Sequence, residues 1–162
     1  MRGWILCVGV AVLAASGGIT GFRARAADRL AGPVAAEVLS VVDGDTLEVR
    51  AHIWRGQDVS IRVRLAGIDA PELKGRCARE KALATAAHAF LSARLGPGGG
   101  RGAEVRLRNI RYGKYGGRVL ADVETALGED LGERLVMAGL ARPYGGRGRT
   151  PWCPRAGVPS SG

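Results

Sequence analysis

The chain has few of the residues that bind zinc and no apolar run long enough to cross a membrane comfortably. It contains three cysteines and two histidines among 162 residues. Neither Cys77 nor Cys153 has a histidine at ligand spacing, which argues against a zinc site. The first apolar run, Trp4 to Ala15, is shorter than the roughly 20 residues that a spanning helix needs. No internal repeat is visible, and the length fits one compact domain with short extensions.

Acidic residues are absent from positions 1–26, and this segment is typical of an export signal. Arg2 gives it a positive start, the apolar run follows, and Ala24-Arg25-Ala26 has the small-x-small pattern of a cleavage site. We therefore expect cleavage after Ala26 and a secreted or periplasmic protein. The alternative is an uncleaved membrane anchor, because the arginines at 23 and 25 are unusual so near a cleavage site.

The remaining chain is basic. The three arginines of positions 1–26 leave 21 basic and 15 acidic residues from 24 and 15, a net charge of +6. Such a surface suits a polyanion, for instance nucleic acid. Cys7 is lost with the signal, and an even pair of cysteines in an oxidising compartment predicts a disulfide between Cys77 and Cys153. That bond would tie the C-terminal tail to the start of the long helix; the alternative is two free thiols.

The periodicity of apolar residues predicts a mainly β protein with some α, an α+β fold of the OB-barrel type. It has five short strands. Along the chain, one long helix lies between the third and fourth strands, and a short helix follows the fifth. The helix from about Gly75 would bury one stripe of side chains. The expected strands are Val34–Val42, Leu47–Ile53, Val59–Leu65, Ala103–Asn109 and Arg118–Glu124; the expected stripe is Leu83, Ala86, Ala87, Phe90, Leu91 and Leu95; the short helix is Leu131–Ala138.

The domain organisation follows from these elements. We expect a signal peptide over 1–26, a lead-in over 27–37, and the barrel domain over 38–145. Residues 146–162 are rich in Gly, Arg, Pro and Ser and are expected to form a tail, tethered by the disulfide.

Three clusters contain residues suited to phosphodiester chemistry. Asp45 and Asp69 lie on predicted turns that a barrel could bring together, and carboxylate oxygens suit calcium or magnesium. Glu72 follows Asp69 closely enough to act on a nearby water. Arg64 and Arg118 carry guanidinium groups, which bind phosphate oxygens in a bidentate way. Taken singly, each cluster has a plainer interpretation as a hairpin turn, a helix-capping loop or a solvated strand face.

The order of the clusters resembles the staphylococcal nuclease-like (thermonuclease) family over about Val38 to Arg142. The resemblance is carried by the segments Asp43-Gly44-Asp45-Thr46, Arg64 to Glu72, Tyr115-Gly116-Gly117-Arg118-Val119-Leu120-Ala121 and Leu135 to Ala141. It implies an OB-fold and calcium-dependent cleavage of DNA and RNA, by a protein that we expect to be monomeric.

By matching positions, the resemblance also implies roles for individual residues. Asp45, Asp69 and the backbone carbonyl of Ala70 would bind calcium, with Asp43 holding the metal's waters from the second shell. Glu72 would be the general base, or would position the attacking water. Arg64 and Arg118 would bind the phosphate and stabilise the transition state. The residues expected to line the substrate are Lys114, Tyr115 and Tyr144.

The chain departs from the family pattern at two places. The hairpin before Arg118 has an extra glycine, and Gly113 stands where many relatives carry an aspartate. The long C-terminal helix of the best-known member is absent, so that only Tyr144 remains as a counterpart of its base-stacking tyrosines. Base preference therefore does not transfer.

Two other classes of function stay open on the sequence. One is an OB-fold module that binds single-stranded nucleic acid without cutting it. The other is an envelope protein stapled by a disulfide, in which the three clusters only shape turns. The complete set of charged residues favours the enzyme.

Overall fold

The computed structural model describes residues 28–113 and 116–153. The expected signal peptide, the substrate residues Lys114 and Tyr115, and the end of the tail from residue 154 lie outside these ranges. Within them the chain forms eight strands and two α-helices. The strands are β1 (Arg29–Leu30), β2 (Val34–Asp43), β3 (Thr46–Trp54), β4 (Gln57–Leu65), β5 (Ile68–Asp69), β6 (Glu104–Tyr112), β7 (Arg118–Thr125) and β8 (Arg142–Pro143); the helices are α1 (Ala78–Leu95) and α2 (Leu131–Met137).

Five of the strands close into a barrel. The hydrogen-bonded order is β6-β2-β3-β4-β7, and pairing of β6 with β7 closes the ring. Neighbours are antiparallel except β4 and β7, which run parallel, with Arg62 opposite Arg118 and Arg64 opposite Leu120. The predicted OB-type barrel, with the long helix between its third and fourth strands, is thereby confirmed.

The core lies inside the barrel and beneath α1, where apolar side chains of alternating strand positions meet. Val38, Val49 and Val63 are fully buried there, and Leu91 of α1 joins them. The alternation of β7 is complete, since every second residue from Val119 to Thr125 is buried. Apolar burial of this kind is the main driving force for closing a barrel of this size.

The structure corrects three details of the predicted pattern. Ala86 is exposed, and the buried positions of α1 are Glu80, Ala84, Ala87 and Leu91, because the helix turns a slightly different face to the barrel. Val59 is also exposed, since β4 projects beyond the core at its start. The long helix begins at Ala78, three residues after the expected start, with Cys77 as its N-cap.

Two glycines determine where α1 lies: Gly96 ends the helix, and Gly44 lets it pack closely on the barrel. Gly96 follows the helix with a φ of 104°, a conformation that favours glycine and ends the helix. Gly44, in the turn between β2 and β3, packs against the middle of α1. A Cβ added there would lie 2.8 Å from the Cβ of Ala87, so only glycine allows this close approach. No helix in the described part of the chain is long and apolar enough to span a membrane.

Candidate active site

The turn between β2 and β3 buries the first candidate metal ligand. Asp43 accepts a hydrogen bond from the backbone N–H of Gly44 at 2.7 Å, which fixes the turn. The contact of Gly44 with α1 covers the turn, and Asp45 is only 2% exposed. The expected pair of Asp43 and Asp45 therefore lies in one tight turn, with Asp45 directed into the protein.

Arg64 binds Asp45 through both oxygens. Its Nη1 donates to Oδ1 of Asp45 at 2.8 Å, and its Nη2 lies 2.6 Å from Oδ2. The register of β3 with β4 places Thr46 opposite Arg64, so the two side chains come from adjacent strands. Thr46 donates a further hydrogen bond to Oδ1 at 2.9 Å. The sequence assigned Arg64 to phosphate and Asp45 to the metal, and the structure brings both to one place.

Asp69 lies beside this pair. It ends the short strand β5, opposite Arg142 of β8, and its side chain is 7% exposed. Its Oδ1 is 3.7 Å from Nη2 of Arg64. The next residue, Ala70, donates its backbone N–H to Oδ2 of Asp45 at 3.4 Å. The two aspartates that the sequence predicted as metal ligands are thus neighbours, joined by one peptide group and one guanidinium group.

Glu72 and Arg118 approach the site from its edges. Glu72 follows Pro71 in the loop before α1, and its side chain is about half exposed at 51%. Arg118 begins β7, opposite Arg62 and two residues before Leu120, which pairs with Arg64. Because residues two apart on a strand share a face, Arg118 and Arg64 lie on the same side of the sheet.

The remaining predicted substrate residue, Tyr144, lies just beyond β8. Its backbone N–H donates to the carbonyl of Gly67 at 2.8 Å, which holds this part of the chain next to the β4–β5 loop. Its side chain is partly exposed.

The C-terminal tail supplies two site residues that the sequence did not predict. Arg149 bridges two carboxylates, with its Nε 2.9 Å from Oδ1 of Asp69 and its Nη1 donating to Oε1 of Glu72 at 2.8 Å. Trp152 donates its indole N–H to Oδ2 of Asp69 at 3.3 Å. The one sequence signal that pointed here was Cys153, because its bond to Cys77 brings the adjacent Trp152 close to the loop that carries Glu72.

The predicted disulfide between Cys77 and Cys153 is present, with the Cα atoms 6.0 Å apart. It fastens the tail to the N-terminus of α1. Glu80 lies beside the two sulfur atoms, and its Oε2 accepts a hydrogen bond from the backbone N–H of Arg76 at 2.9 Å. Since both sulfur atoms are bonded to each other, this cluster offers no thiolate for a metal.

A cleft of about 650 Å³ lies between the 69–76 loop and the tail segment 149–153. Asp69 and Glu72 line one side of it, and Arg149 and Trp152 line the other. Its size suits a nucleotide-sized group, and its open side faces solvent.

Burial and neighbouring charges act on the ionisation of this cluster. Burial raises the pKa of Asp45 above its ordinary value of 3.8, and the nearby Arg64 guanidinium offsets part of that rise. The hydrogen bond to Glu72 raises the pKa of Arg149, and the charge of Asp69 adds to the effect. Burial outweighs Arg64 at Asp45, so the net effect is a raised pKa, and a further positive charge nearby would lower it again.

The donor set fits a hard divalent cation. Asp69 Oδ1 is fully buried and has no well-aligned hydrogen bond from any described residue, although Arg149 lies within ion-pair distance. Nη2 of Arg64 contacts both carboxylates, 2.6 Å from Oδ2 of Asp45 and 3.7 Å from Oδ1 of Asp69. Calcium and magnesium prefer carboxylate and carbonyl oxygens, and the carboxylates of Asp45 and Asp69 both lie beside the Arg64 guanidinium group.

Comparison with known families gives one match. The family model described as "Staphylococcal nuclease homologue" matches residues 62–150, more than half of the chain. The match includes Arg64, Asp69, Glu72 and Arg118, and it extends as far as Arg149. The turn that holds Asp43 and Asp45 precedes the matched region. No curated protein matches the chain.

Proposed function

The chain belongs to the family of staphylococcal nuclease homologues, and we propose that it is a calcium-dependent nuclease that hydrolyses phosphodiester bonds of DNA and RNA. The family and the barrel support a nuclease or nucleic-acid-binding function. The proposal adds the metal, the substrates and the assignment of each residue.

One observation carries the proposal. Two buried carboxylates, Asp45 and Asp69, approach the same guanidinium group, with Nη2 of Arg64 2.6 Å from Oδ2 of Asp45 and 3.7 Å from Oδ1 of Asp69. Buried carboxylates held this close to one another favour a bound cation. A cation suits the carboxylates and a phosphate oxygen suits the guanidinium group, and a metal–phosphate complex supplies both together.

The surface next to this pair suits a nucleic acid backbone. Arg62 and Arg118 lie directly opposite each other on the parallel strands β4 and β7. Guanidinium groups at neighbouring strand positions can donate hydrogen bonds to successive phosphates of a polyanion. Arg64 lies on the same face, so these three arginines form a basic patch that leads to Asp45 and Asp69.

In this proposal each residue has one role. Asp45, Asp69 and the Ala70 carbonyl hold calcium, and Asp43 orients its waters. When bound, calcium supplies positive charge that stabilises the negative charge developing on the phosphate. Arg64 and Arg118 donate hydrogen bonds to the phosphate oxygens, most strongly as charge builds on them. Glu72 takes the proton of the attacking water, or orients that water.

Further parts of the proposal concern the location and the state of the protein. A disulfide persists mainly in oxidising compartments, so the bond between Cys77 and Cys153 supports export. We propose that the signal over residues 1–26 directs the chain out of the cytosol and that the protein acts as a monomer.

The test compares wild type with Glu72→Gln on single-stranded DNA and on RNA in the presence of calcium. We expect cleavage to fall by about 100- to 10,000-fold while binding persists, because a general base contributes about that much to the rate. Glu104→Gln removes a carboxylate from an exposed position on β6 and should leave cleavage unchanged. Tight binding without cleavage by wild type would instead make the protein a single-strand-binding module. Full cleavage by Glu72→Gln would refute the role of Glu72.

A further inference from the structure

We propose that the tail segment 149–153 sets the affinity of the site for its cation, through two residues that act in opposite directions. Arg149 competes with the cation for Asp69, and Trp152 holds Asp69 in the orientation that the cation needs. The disulfide between Cys77 and Cys153 keeps both residues in place. This inference rests on the proposed function only in taking calcium as the cation.

Arg149 is a competitor because it contacts the atom that the cation needs. Its Nε lies 2.9 Å from Oδ1 of Asp69, which is the buried oxygen that has no aligned hydrogen bond from described residues. A guanidinium group at that distance repels a divalent cation at the same oxygen. The side chain of Arg149 is 47% exposed, so it has room to move into solvent when a cation binds.

The contact with Glu72 strengthens the competition. Nη1 of Arg149 donates to Oε1 of Glu72, so a single guanidinium group is held by two carboxylates. Entry of the cation must loosen the Asp69 contact and weaken the Glu72 contact with it. The same movement frees the Glu72 carboxylate, which links occupancy of the site to availability of the proposed base.

Trp152 acts in the opposite direction, as a positioning residue. Its N–H donates to Oδ2 of Asp69, the oxygen that Arg149 does not contact. The guanidinium group of Arg142 stacks on the Trp152 ring at 3.8 Å from the centroid, and Arg142 pairs through its backbone with Asp69. Asp69, Arg142 and Trp152 therefore form a closed unit that fixes the carboxylate and leaves Oδ1 as the oxygen that contacts Arg149. Residues that orient a metal ligand typically change metal affinity by about 10- to 100-fold when they are lost.

The disulfide makes both effects possible. Cys153 directly follows Trp152, and its bond to Cys77 spans 76 residues of sequence. Residues 145–151 are all exposed, and besides its contacts with Asp69 and Glu72 the segment is held by Arg142, which donates to the carbonyls of Thr150 and Pro151 at 3.4 Å. The bond therefore keeps Arg149 and Trp152 at a high effective concentration beside Asp69, which a free tail would not do.

The test is the dissociation constant for calcium, measured by titration calorimetry on the oxidised protein. We expect Arg149→Gln to bind calcium about 3- to 10-fold more tightly, as for the loss of one partly screened neighbouring charge. We expect Trp152→Phe to bind about 10-fold more weakly. The matched controls are Arg147→Gln, an exposed arginine two residues before Arg149, and Trp54→Phe, which is 76% exposed on β3; both should leave the constant within about twofold of wild type.

A third arm tests the tether. In the Cys77→Ser/Cys153→Ser background, Arg149→Gln and Trp152→Phe should change the constant less than in the oxidised protein, because only the contacts of Arg142 then hold the segment near Asp69. A merely structural role would lower the melting temperature and would not produce shifts of opposite sign. Since Arg149 is half exposed, we expect Arg149→Gln to keep the fold. The calcium dissociation constant of this variant therefore tests by itself whether Arg149 competes with the cation.

Unchanged constants in both variants, or shifts in the same direction, would overturn the inference. If wild type cleaves nucleic acid but both variants have the calcium dissociation constant of wild type, this inference is refuted and the proposed function stands. Opposite shifts in a protein that binds calcium but cuts nothing would confirm the inference and refute the nuclease. Absence of calcium binding by wild type would refute both.

Discussion

Two halves of the candidate site are held in different ways. The barrel half consists of Asp45, in the turn that leads into β3, and Arg64 of β4, which pairs with the first residue of β3; both side chains are largely buried, at 3% and 13% exposure. The tail half, Glu72, Arg149 and Trp152, comes from a loop and an exposed segment fastened by one disulfide. Sheet register therefore fixes the buried charges, whereas a covalent tether places the exposed ones.

The two ways of holding the site residues suit two different roles. A buried ion pair keeps its geometry because moving either charge would leave the other unpaired in a region of low dielectric. Exposed pairs exchange partners at little cost, since water replaces each contact. We infer that the barrel half provides a fixed place for the cation and phosphate, while the tail half provides groups that change partners when they bind.

The largest expected effect comes from breaking the barrel half. Arg64→Ala leaves the buried Asp45 without its guanidinium partner, and we expect a loss of about 3 kcal/mol in the free energy of unfolding. Cleavage should fall by about 100- to 1,000-fold, because the donor to the phosphate is removed as well. Urea unfolding and cleavage rates measure the two losses. Arg62→Ala, an exposed arginine on the same strand, should leave stability nearly unchanged.

Removing the disulfide should lower the stability of the protein and displace the tail half of the site, while the barrel half keeps its geometry. For Cys77→Ser/Cys153→Ser we expect a loss of about 2–4 kcal/mol in the free energy of unfolding, because the unfolded chain regains a long open loop. The melting temperature, compared between oxidised wild type and the double variant, measures this. Calcium should still raise the melting temperature of the variant, since Asp45 and Arg64 do not depend on the tail. If the double variant has the same melting temperature as oxidised wild type, the disulfide contributes nothing to stability.

A smaller change sharpens the comparison at the turn that buries Asp45. Gly44→Ala places a Cβ 2.8 Å from the Cβ of Ala87, and we expect a loss of about 1–3 kcal/mol as the turn is pushed from α1. Ala87→Gly added to this variant should recover part of the loss, because it removes the opposing methyl group. Denaturant unfolding of the two single variants and the double variant gives the coupling between them. Additive losses would show that the two residues do not meet.

The sequence was sufficient for the barrel because its signals are local. The apolar pattern predicts the strand Arg118–Glu124, and the glycine run after Leu95 predicts the end of the long helix. The prediction for Ala86 was wrong because alanine has the same small apolar side chain on either face of a helix. The face that α1 turns to the barrel depends on contacts such as that between Gly44 and Ala87.

The tail residues Arg149 and Trp152 were not predictable in the same way as the barrel. Arg149 contacts Glu72 across 77 positions of sequence, in a segment whose glycine and proline content indicates only a loop. Local patterns contain no information about a contact at that separation. The disulfide could be predicted from the cysteine count, but the direction in which the adjacent Trp152 and Arg149 face follows only from the three-dimensional path of the tail.

The most direct test of the account is the rate at which the oxidised protein cleaves single-stranded DNA, measured in calcium and again in excess chelator. Asp45 and Asp69 should hold the cation that the phosphate chemistry needs, so we predict cleavage in calcium and a loss of at least about 100-fold in chelator. Return of the rate when calcium is added back would confirm that the loss is due to the cation. Equal rates in calcium and chelator would contradict the account, because the buried carboxylates would then have no part in the reaction.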